Sequence, residues 1–327
     1  MTENLTRRGV TPDSPLSLTI AVLTYRRPDD IAELLPLLIE QARQNTSNEM
    51  TVRVLVVDND PEESARSGVV ATGMSSALPV EYTVEATPGI SAARNRALDA
   101  SQGFDLLVFI DDDERPSEKW LGLLLEMWKA RRPTAVVGPV ISSFEIEPEP
   151  WILAGRFFVR RRLPNGTAVA VAATNNLLLD LRFVRSQAIR FDLAFGISGG
   201  DDTMFTRELT RAGGTMLWCD DAVVFDVVPR SRITRRWVTF RAMSSGNSWS
   251  ITSIKLASSI PARSRARLAL TAKGVVRVIG GGTRFAGGLV TGRMDLRARG
   301  VRTIARGVGM LGGAWGFKYL EYRRRGE

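Results

Sequence analysis

Four adjacent carboxylates, Asp111-Asp112-Asp113-Glu114, follow directly on the apolar run Leu106-Leu107-Val108-Phe109-Ile110. Like charges this close repel one another unless a cation sits among them. Hard oxygen ligands favour Mg²⁺ or Mn²⁺, which binds one or two carboxylates together with substrate phosphates. The plainer alternative is a solvated acidic turn before a helix N-terminus. A second acidic pair, Asp201-Asp202, follows Gly199-Gly200 at the start of an expected helix. Helix capping would need only one of these acids, whereas a carboxylate base facing the first cluster would use a rigid helix start. Asn175 and Asn176 interrupt an otherwise apolar segment. Buried amides are costly unless hydrogen-bonded, so they either line a cleft or satisfy backbone groups at a bulge.

Composition narrows the chemistry. The chain has no histidine, which excludes Ser-His-Asp triads, Cys-His dyads, histidine zinc sites and histidine bases. A single cysteine, Cys219, excludes a disulfide framework and thiolate clusters, and fits a reducing compartment. Acid–base and metal work therefore falls to carboxylates. Arg7 and Arg8 precede no apolar stretch of signal-peptide type, and no run reaches the length of a membrane-spanning helix.

The elements that would position the acids read as alternating strands and helices. Residues 17–25 and 52–57 form buried strands, 31–43 a helix capped by Asp29 or Asp30, and 80–86 a weaker strand. Thr87-Pro88-Gly89-Ile90-Ser91 leads into a helix over 92–100, and the acidic strand follows. Such alternation implies an α/β fold with a doubly wound, mostly parallel sheet flanked by helices. Ligands of such sheets bind beyond the strands' C-terminal ends, at the topological switch point. There Thr24, Tyr25, Arg26, Asp58, Asp111, Asp112 and Asp113 can converge beside Arg94 and Asn95. No glycine-rich phosphate loop follows the first strand, which disfavours P-loop and NAD-binding domains. Pro116 and Ser117 open a helix to residue 131, 134–140 form a strand, and 215–228 a strand pair or extended arm that includes Asp226.

Three regions emerge: a flexible tail over 1–16, a catalytic domain over 17–250, and a basic C-terminal extension over 251–327. The last carries 16 Lys/Arg against 3 Asp/Glu, in a chain of net charge +9. Val301, Ile304, Val308, Leu311 and Trp315 recur at helical spacing, with Arg299, Arg302 and Arg306 on another face; Tyr322 and Arg323-Arg324-Arg325 follow. A basic amphipathic segment with aromatics suits an anionic membrane surface. Helices docked on the catalytic domain with a solvated basic face are the alternative. No nucleic-acid-reading motif is present. Gly280-Gly281-Gly282 and Gly287-Gly288 weigh against one long helix here.

Five motifs now stand in order: Thr24-Tyr25-Arg26-Arg27, Val57-Asp58-Asn59, Pro88 to Asn95, Phe109 to Glu114, and Gly199-Gly200-Asp201-Asp202. Over residues 17 to about 250 the chain resembles family 2 glycosyltransferases, in particular their bacterial exopolysaccharide, succinoglycan-type branch. The resemblance implies a GT-A fold and inverting transfer of a sugar from a nucleotide-diphosphate donor. By that resemblance Tyr25, Arg26 and Asp58 hold the nucleoside, Asp111 lies nearer the ribose, and Asp113 is the ligand of Mg²⁺ or Mn²⁺. Asp202 is the base, with Asp201 in place of the family's usual Glu, and Asp226 stands where many relatives carry a metal-binding histidine. The implied partners are a nucleotide-sugar donor, a glycan or lipid-linked glycan acceptor and an anionic membrane surface. The implied place is the cytoplasmic face of the cell membrane. A nucleotidyltransferase is the competing enzyme class, but it would carry a Gly-rich N-terminal loop. An inactive nucleotide-sugar-binding module would need no base.

Overall fold

The computed structural model describes residues 15–319. All but the last two positions of the expected N-terminal tail lie outside these residues, as do Tyr322 and Arg323 to Arg325. The chain runs β1 (Leu16–Thr24), α1 (Pro28–Asn45), β2 (Met50–Asp58), α2 (Arg66–Met74), β3 (Val80–Val84), α3 (Ile90–Ala100) and β4 (Leu106–Asp111). It continues through β5 (Glu114–Pro116), α4 (Trp120–Arg131), β6 (Ala135–Val137), β7 (Val140–Phe144), α5 (Pro150–Gly155), β8 (Asn176–Asp180), α6 (Leu181–Ser186) and α7 (Asp201–Arg211). The last elements are β9 (Met216–Trp218), β10 (Val224–Val228), α8 (Arg235–Lys255), α9 (Ile260–Val290) and α10 (Met294–Ala314).

Seven strands form the central sheet in the order β3-β2-β1-β4-β8-β6-β9. β1 to β4 are mutually parallel, and β8 enters antiparallel to both β4 and β6. Strand side chains alternate between faces. Leu18, Ile20 and Val22 accordingly pack on the face covered by α1 and α4, while Ala21 and Leu23 join α3 and α7 on the other. Both faces are covered, which is why these strands read as unbroken apolar runs. The register sets Thr24 beside Asp58 and Leu23 beside Asp111, so the C-terminal ends of β1, β2 and β4 stand level. Because β8 runs the opposite way, its first residue, Asn176, lies against Ile110 at that same edge.

Several expected elements differ. Residues 134–140 are not one strand: Gly138 and Pro139 break the chain into β6 and β7, which belong to different sheets. Pro116 lies in β5, not in a helix; α4 starts only at Trp120. α1 starts at Pro28 with no side-chain cap, leaving Asp29 and Asp30 in its first turn, where they favour the helix dipole. The second sheet, β5-β10-β7, is small, and pairing of β10 with β5 sets Asp226 opposite Glu114.

The C-terminal region is helical, and its long helix overturns the expectation drawn from the glycines. α9 runs 31 residues straight through Gly280-Gly281-Gly282 and Gly287-Gly288. Packing offsets the propensity cost. Gly274, Gly281 and Gly288 recur every two turns along α9 and face Gly307, Gly300 and Arg297 of α10. A Cβ on Gly281 would lie 2.8 Å from the Ile304 nitrogen, and one on Gly307 2.8 Å from the Gly274 carbonyl oxygen. α10 meets α8 in the same way, through Gly246, Gly309 and Gly313. α8 itself, capped by the Thr234 hydroxyl, runs without a break across residue 250.

These contacts give opposite signs to two glycine substitutions in one region. A Cβ on Gly309 would fall 1.9 Å from the Met243 carbonyl oxygen, so Gly309→Ala must force α8 and α10 apart. A loss of about 1–3 kcal/mol is expected. Gly282 meets nothing within 4 Å, and Gly282→Ala is expected to gain up to about 1 kcal/mol of helix propensity. Urea denaturation of the two variants beside the wild type measures both.

Candidate active site

The first acidic cluster is held at the sheet edge by donors from every side. Asp111 ends β4, its backbone N–H donating to Glu114 Oε2 at 3.1 Å. Asp112 turns inward and accepts from Thr24 Oγ1 at 3.0 Å and from Arg27 Nη1 at 2.8 Å. Asp113 accepts from Arg27 Nη1 at 3.1 Å and from Arg232 Nη1 at 2.9 Å. Glu114 is buried, and Asn175 Nδ2 donates to its other oxygen at 2.5 Å. Asp226 reaches this group along β10 and pairs with Arg160. Arg26 takes a left-handed φ of 54° in the turn after β1, between the strand and Arg27.

Crowding and burial raise four of these carboxyls, Asp111, Asp112, Glu114 and Asp226. Burial foremost, then Asp113, Asp112 and Asp226, push Asp111 up to about 7 against the pull of Arg94. Burial and Asp113 carry Asp112 up to about 6 despite Arg27. Glu114 is raised well above the usual range by burial and by Asp111, and Asp226 is raised by burial and Asp113. Each of these groups is more readily ionised when positive charge is added.

The second cluster sits at the start of α7. Gly199 and Gly200 take φ of 75° and 93°, a region that side chains disfavour, and Gly200 forms the N-cap position. Its space is also closed, since a Cβ there would lie 2.9 Å from Ser248 Cβ on α8. Neither acid caps the helix across the N-cap. Asp201 is buried and pairs with Arg94, while Asp202 accepts from the backbone N–H of Thr203 and faces the cavity. Burial, then the neighbouring Asp201, raise Asp202 above the ordinary carboxylate range.

Arg94 of α3 joins the clusters. Its guanidinium pairs with Asp201 on one side and stands 4.0 Å from Asp111 on the other. Burial alone would lower its pKa, but Asp201, Asp111 and Asp202 outweigh that effect and keep it charged. All four residues line one cavity of about 1080 Å³, together with Asn175, Gly199, Gly200, Trp237 and Trp249.

Thr24, Tyr25, Arg26, Asp58, Asn95 and Asn176 do not line this cavity. Asp58 is fully buried and accepts from the Asp60 and Ala65 backbone N–H groups, each at 3.0 Å, and from Tyr82 at 2.8 Å. Tyr25 is half-buried, with the Arg26 guanidinium 5.3 Å from its ring centre, and Arg26 pairs with Asp60. Asn95 clasps the Phe191 backbone through two hydrogen bonds. The two asparagines of β8's entry divide between the alternatives: Asn175 lines the cavity, and Asn176 is buried, bonded to Trp120 and to the Pro139 and Ala222 carbonyls. Sequence reasoning missed Glu114's burial, the arginines Arg27, Arg160 and Arg232, and the cavity wall built by α8 to α10. Only Arg27 carried a signal, its place in the Thr24 to Arg27 motif.

Among the described residues, no three His, Cys, Asp or Glu side chains close around a metal ion by themselves. Asp111, which lines the cavity, and Asp113 two residues on nevertheless offer hard oxygens at an acid-crowded edge, the kind of partial site that Mg²⁺ completes with phosphates and water.

The comparisons agree with this architecture. The sequence model of Glycosyl transferase family 2 matches residues 19–179. The succinoglycan biosynthesis protein ExoM of Rhizobium meliloti (strain 1021) is 36% identical over 237 residues, covering 72% of this chain and 74% of its own length. Among solved structures, S. aureus TarS 1-349 in complex with UDP-GlcNAc superposes with a TM-score of 0.52 at 12% identity, over 88% of this chain and 91% of that one. GalNAc-T7 with UDP, GalNAc and Mn²⁺ gives 0.54 at 11% identity, over 74% of this chain and 48% of that one. A longer TarS structure gives 0.54 at 13% identity, and there the chain spans 42% of the length it matches. With a mostly parallel sheet ending in paired acids and a sequence relative of this closeness, the chain belongs to glycosyltransferase family 2, and it is a glycosyltransferase of GT-A fold.

Proposed function

We propose that the enzyme moves a sugar, with inversion, from a nucleotide-diphosphate donor to a hydroxyl of a glycan or lipid-linked glycan in polysaccharide synthesis. The observation that carries this reading is the meeting of Asp111 and Asp202 in one cavity, with Arg94 between their clusters. In a direct displacement, base and leaving group must act from opposite sides of the sugar. Asp202 takes the proton of the acceptor hydroxyl as its oxygen attacks the anomeric carbon. The bond to the donor phosphate breaks, and its electrons leave with the nucleoside diphosphate. Asp201, held by Arg94, keeps its charge engaged, which leaves Asp202 as the carboxylate facing the acceptor. Thr24, Tyr25, Arg26, Asp58, Asn95 and Asp112 form or brace the donor side, and Asn175, Gly199 and Gly200 shape the acceptor side. Asp111 and Asp113 would hold Mg²⁺ or Mn²⁺, with Asp226 beside them, and the ion when bound neutralises charge on the leaving diphosphate.

Membrane attachment is part of the same proposal. Along α9, Leu268, Val276, Ile279 and Val290 are 66%, 69%, 61% and 88% exposed. Their helical spacing sets them on the face turned away from Gly274, Gly281 and Gly288. Lys273 and Arg284 lie beside that stripe, the composition of a helix lying on an anionic bilayer. Among the described residues no helix is long and apolar enough to cross a membrane. Attachment at the cytoplasmic face is therefore read as peripheral.

Three outcomes are expected. Asp202→Asn should cut kcat by about 10²–10⁴-fold while leaving donor-induced thermal stabilisation intact; unchanged turnover would remove Asp202 as the base. Below pH 7 a protonated Asp111 can neither ligand a cation nor oppose the charge of Arg94. The donor kcat/KM should therefore fall as pH drops through about 7, and raising Mn²⁺ should move that limb to lower pH, since ligation favours the ionised form. A pH profile at two metal concentrations checks this. The full chain should float with vesicles containing phosphatidylglycerol and not with neutral ones, and Val276→Glu with Ile279→Glu should abolish flotation.

A further inference from the structure

The cavity has walls of opposite character. Asp111, Asp201 and Asp202 stand on one; α9 and α10 contribute Lys273, Arg277, Arg302 and Arg306 to the other. Among the described residues, no carboxylate is a leading influence on either α10 arginine. The charges that bear on Arg302 are Arg306, Arg156, Arg299 and Arg284, and the one that bears on Arg306 is Arg277. Burial first, and then these like charges, depress both guanidinium pKa values. Elsewhere around the site cations are matched by acids: Arg27 with Asp112 and Asp113, Arg232 with Asp113, Arg160 with Asp226, Arg94 with Asp201. The α10 arginines are held by neutral groups instead. Arg302 donates to the Gly155 carbonyl at 3.0 Å, and Arg306 to Ser245 Oγ at 3.3 Å. Such groups fix a guanidinium without neutralising it.

From this wall we infer an anion subsite on the acceptor side of the cleft, suited to a phosphate or diphosphate group carried by the acceptor. The inference rests on the transfer reading above and adds the acceptor's chemistry to it. The wall stands on α9 and α10, apart from the sheet edge: Thr24, Arg26, Asp58 and Asp113 do not line this cavity, and of the proposed cation ligands only Asp111 does, on the opposite wall. Guanidinium forks match phosphate oxygens in pairs, and the Ser245 and Ser248 side chains on the same lining add neutral donors. Val276 belongs both to the cavity lining and to the exposed apolar face of α9. A phosphate seated at the arginines thus places any attached apolar chain at the start of that face and leaves its sugar end toward Asp202.

Intrinsic fluorescence of the full chain reads occupancy, because Trp237 and Trp249 line the cavity. The probes are farnesyl diphosphate, inorganic diphosphate and farnesol, titrated with chelator present, and UDP titrated with Mn²⁺. Farnesyl diphosphate is expected to bind saturably, and Arg302→Gln/Arg306→Gln to weaken it at least tenfold while UDP binding is unchanged. Arg302 also braces α5, so Arg277→Gln, which changes the wall from α9 and leaves those carbonyl contacts in place, serves as the second variant and should weaken binding severalfold. Tighter binding of farnesyl diphosphate than of inorganic diphosphate identifies a phosphate on an apolar chain; equal binding identifies a site for the free anion. Farnesol binding as well as farnesyl diphosphate, undiminished binding in both variants, or parallel loss of UDP binding would overturn the subsite. Loss of UDP binding in the wild type with farnesyl diphosphate still bound would strike the donor reading alone.

Discussion

The guanidinium of Arg94 is the interaction on which the site's geometry depends. Its side chain is 6% exposed and that of its partner Asp201 is 4% exposed. Taking two charges this far from water costs several kcal/mol, which close pairing must offset. The pair therefore fixes the start of α7 against α3, because separating them would leave a buried charge uncompensated. Arg94 Nε is buried without a hydrogen-bond partner, a further sign that position here outranks complete satisfaction. Because the same cation stands near Asp111, the distance between strand edge and helix start is set by one side chain. Everything proposed for catalysis is a matter of that distance.

Around the bridge, the fold assembles acids faster than it neutralises them. Parallel strands end level, the antiparallel β8 returns an amide to the same edge, and β10 adds Asp226 from a separate sheet. Arginines from distant segments then offset the repulsion one carboxylate at a time. The result is an edge that is folded and still responsive to added positive charge, as the raised pKa values of Asp111, Asp112 and Glu114 record. A site in this condition favours a ligand that brings a cation with its own anions.

What could be read from the sequence follows the range of the interactions. The runs of β1, β2 and β4, buried on both faces, announce themselves as apolar stretches, and the acids at the end of β4 come with them. The second sheet does not: β5 has three residues, β7 and β10 five each, and Phe225 and Ile141 are exposed. A break at Gly138-Pro139 looked locally like strand continuation. The charge pairs were beyond reach because their partners are remote, Arg232 lying 119 residues from Asp113 and Arg94 lying 107 from Asp201. The glycines of α9 misled for the same reason. Their cost is local and visible, while the backbone contacts that offset it lie on another helix.

Those contacts bear on how the two sides of the cleft can change. α10 is seated against α8 and α9 by backbone-to-backbone approach, and Arg299 and Arg302 tie it to the carbonyls of α5. A helix keyed on three sides cannot roll about its own axis without losing all three fits. Side chains projecting from it into the cleft therefore keep their headings when their identities are exchanged. On the transfer reading proposed above, replacement at positions such as 302 and 306 alters the cavity wall while the sheet edge stays untouched. One scaffold can in this way keep its sheet edge fixed and be retuned on one wall only.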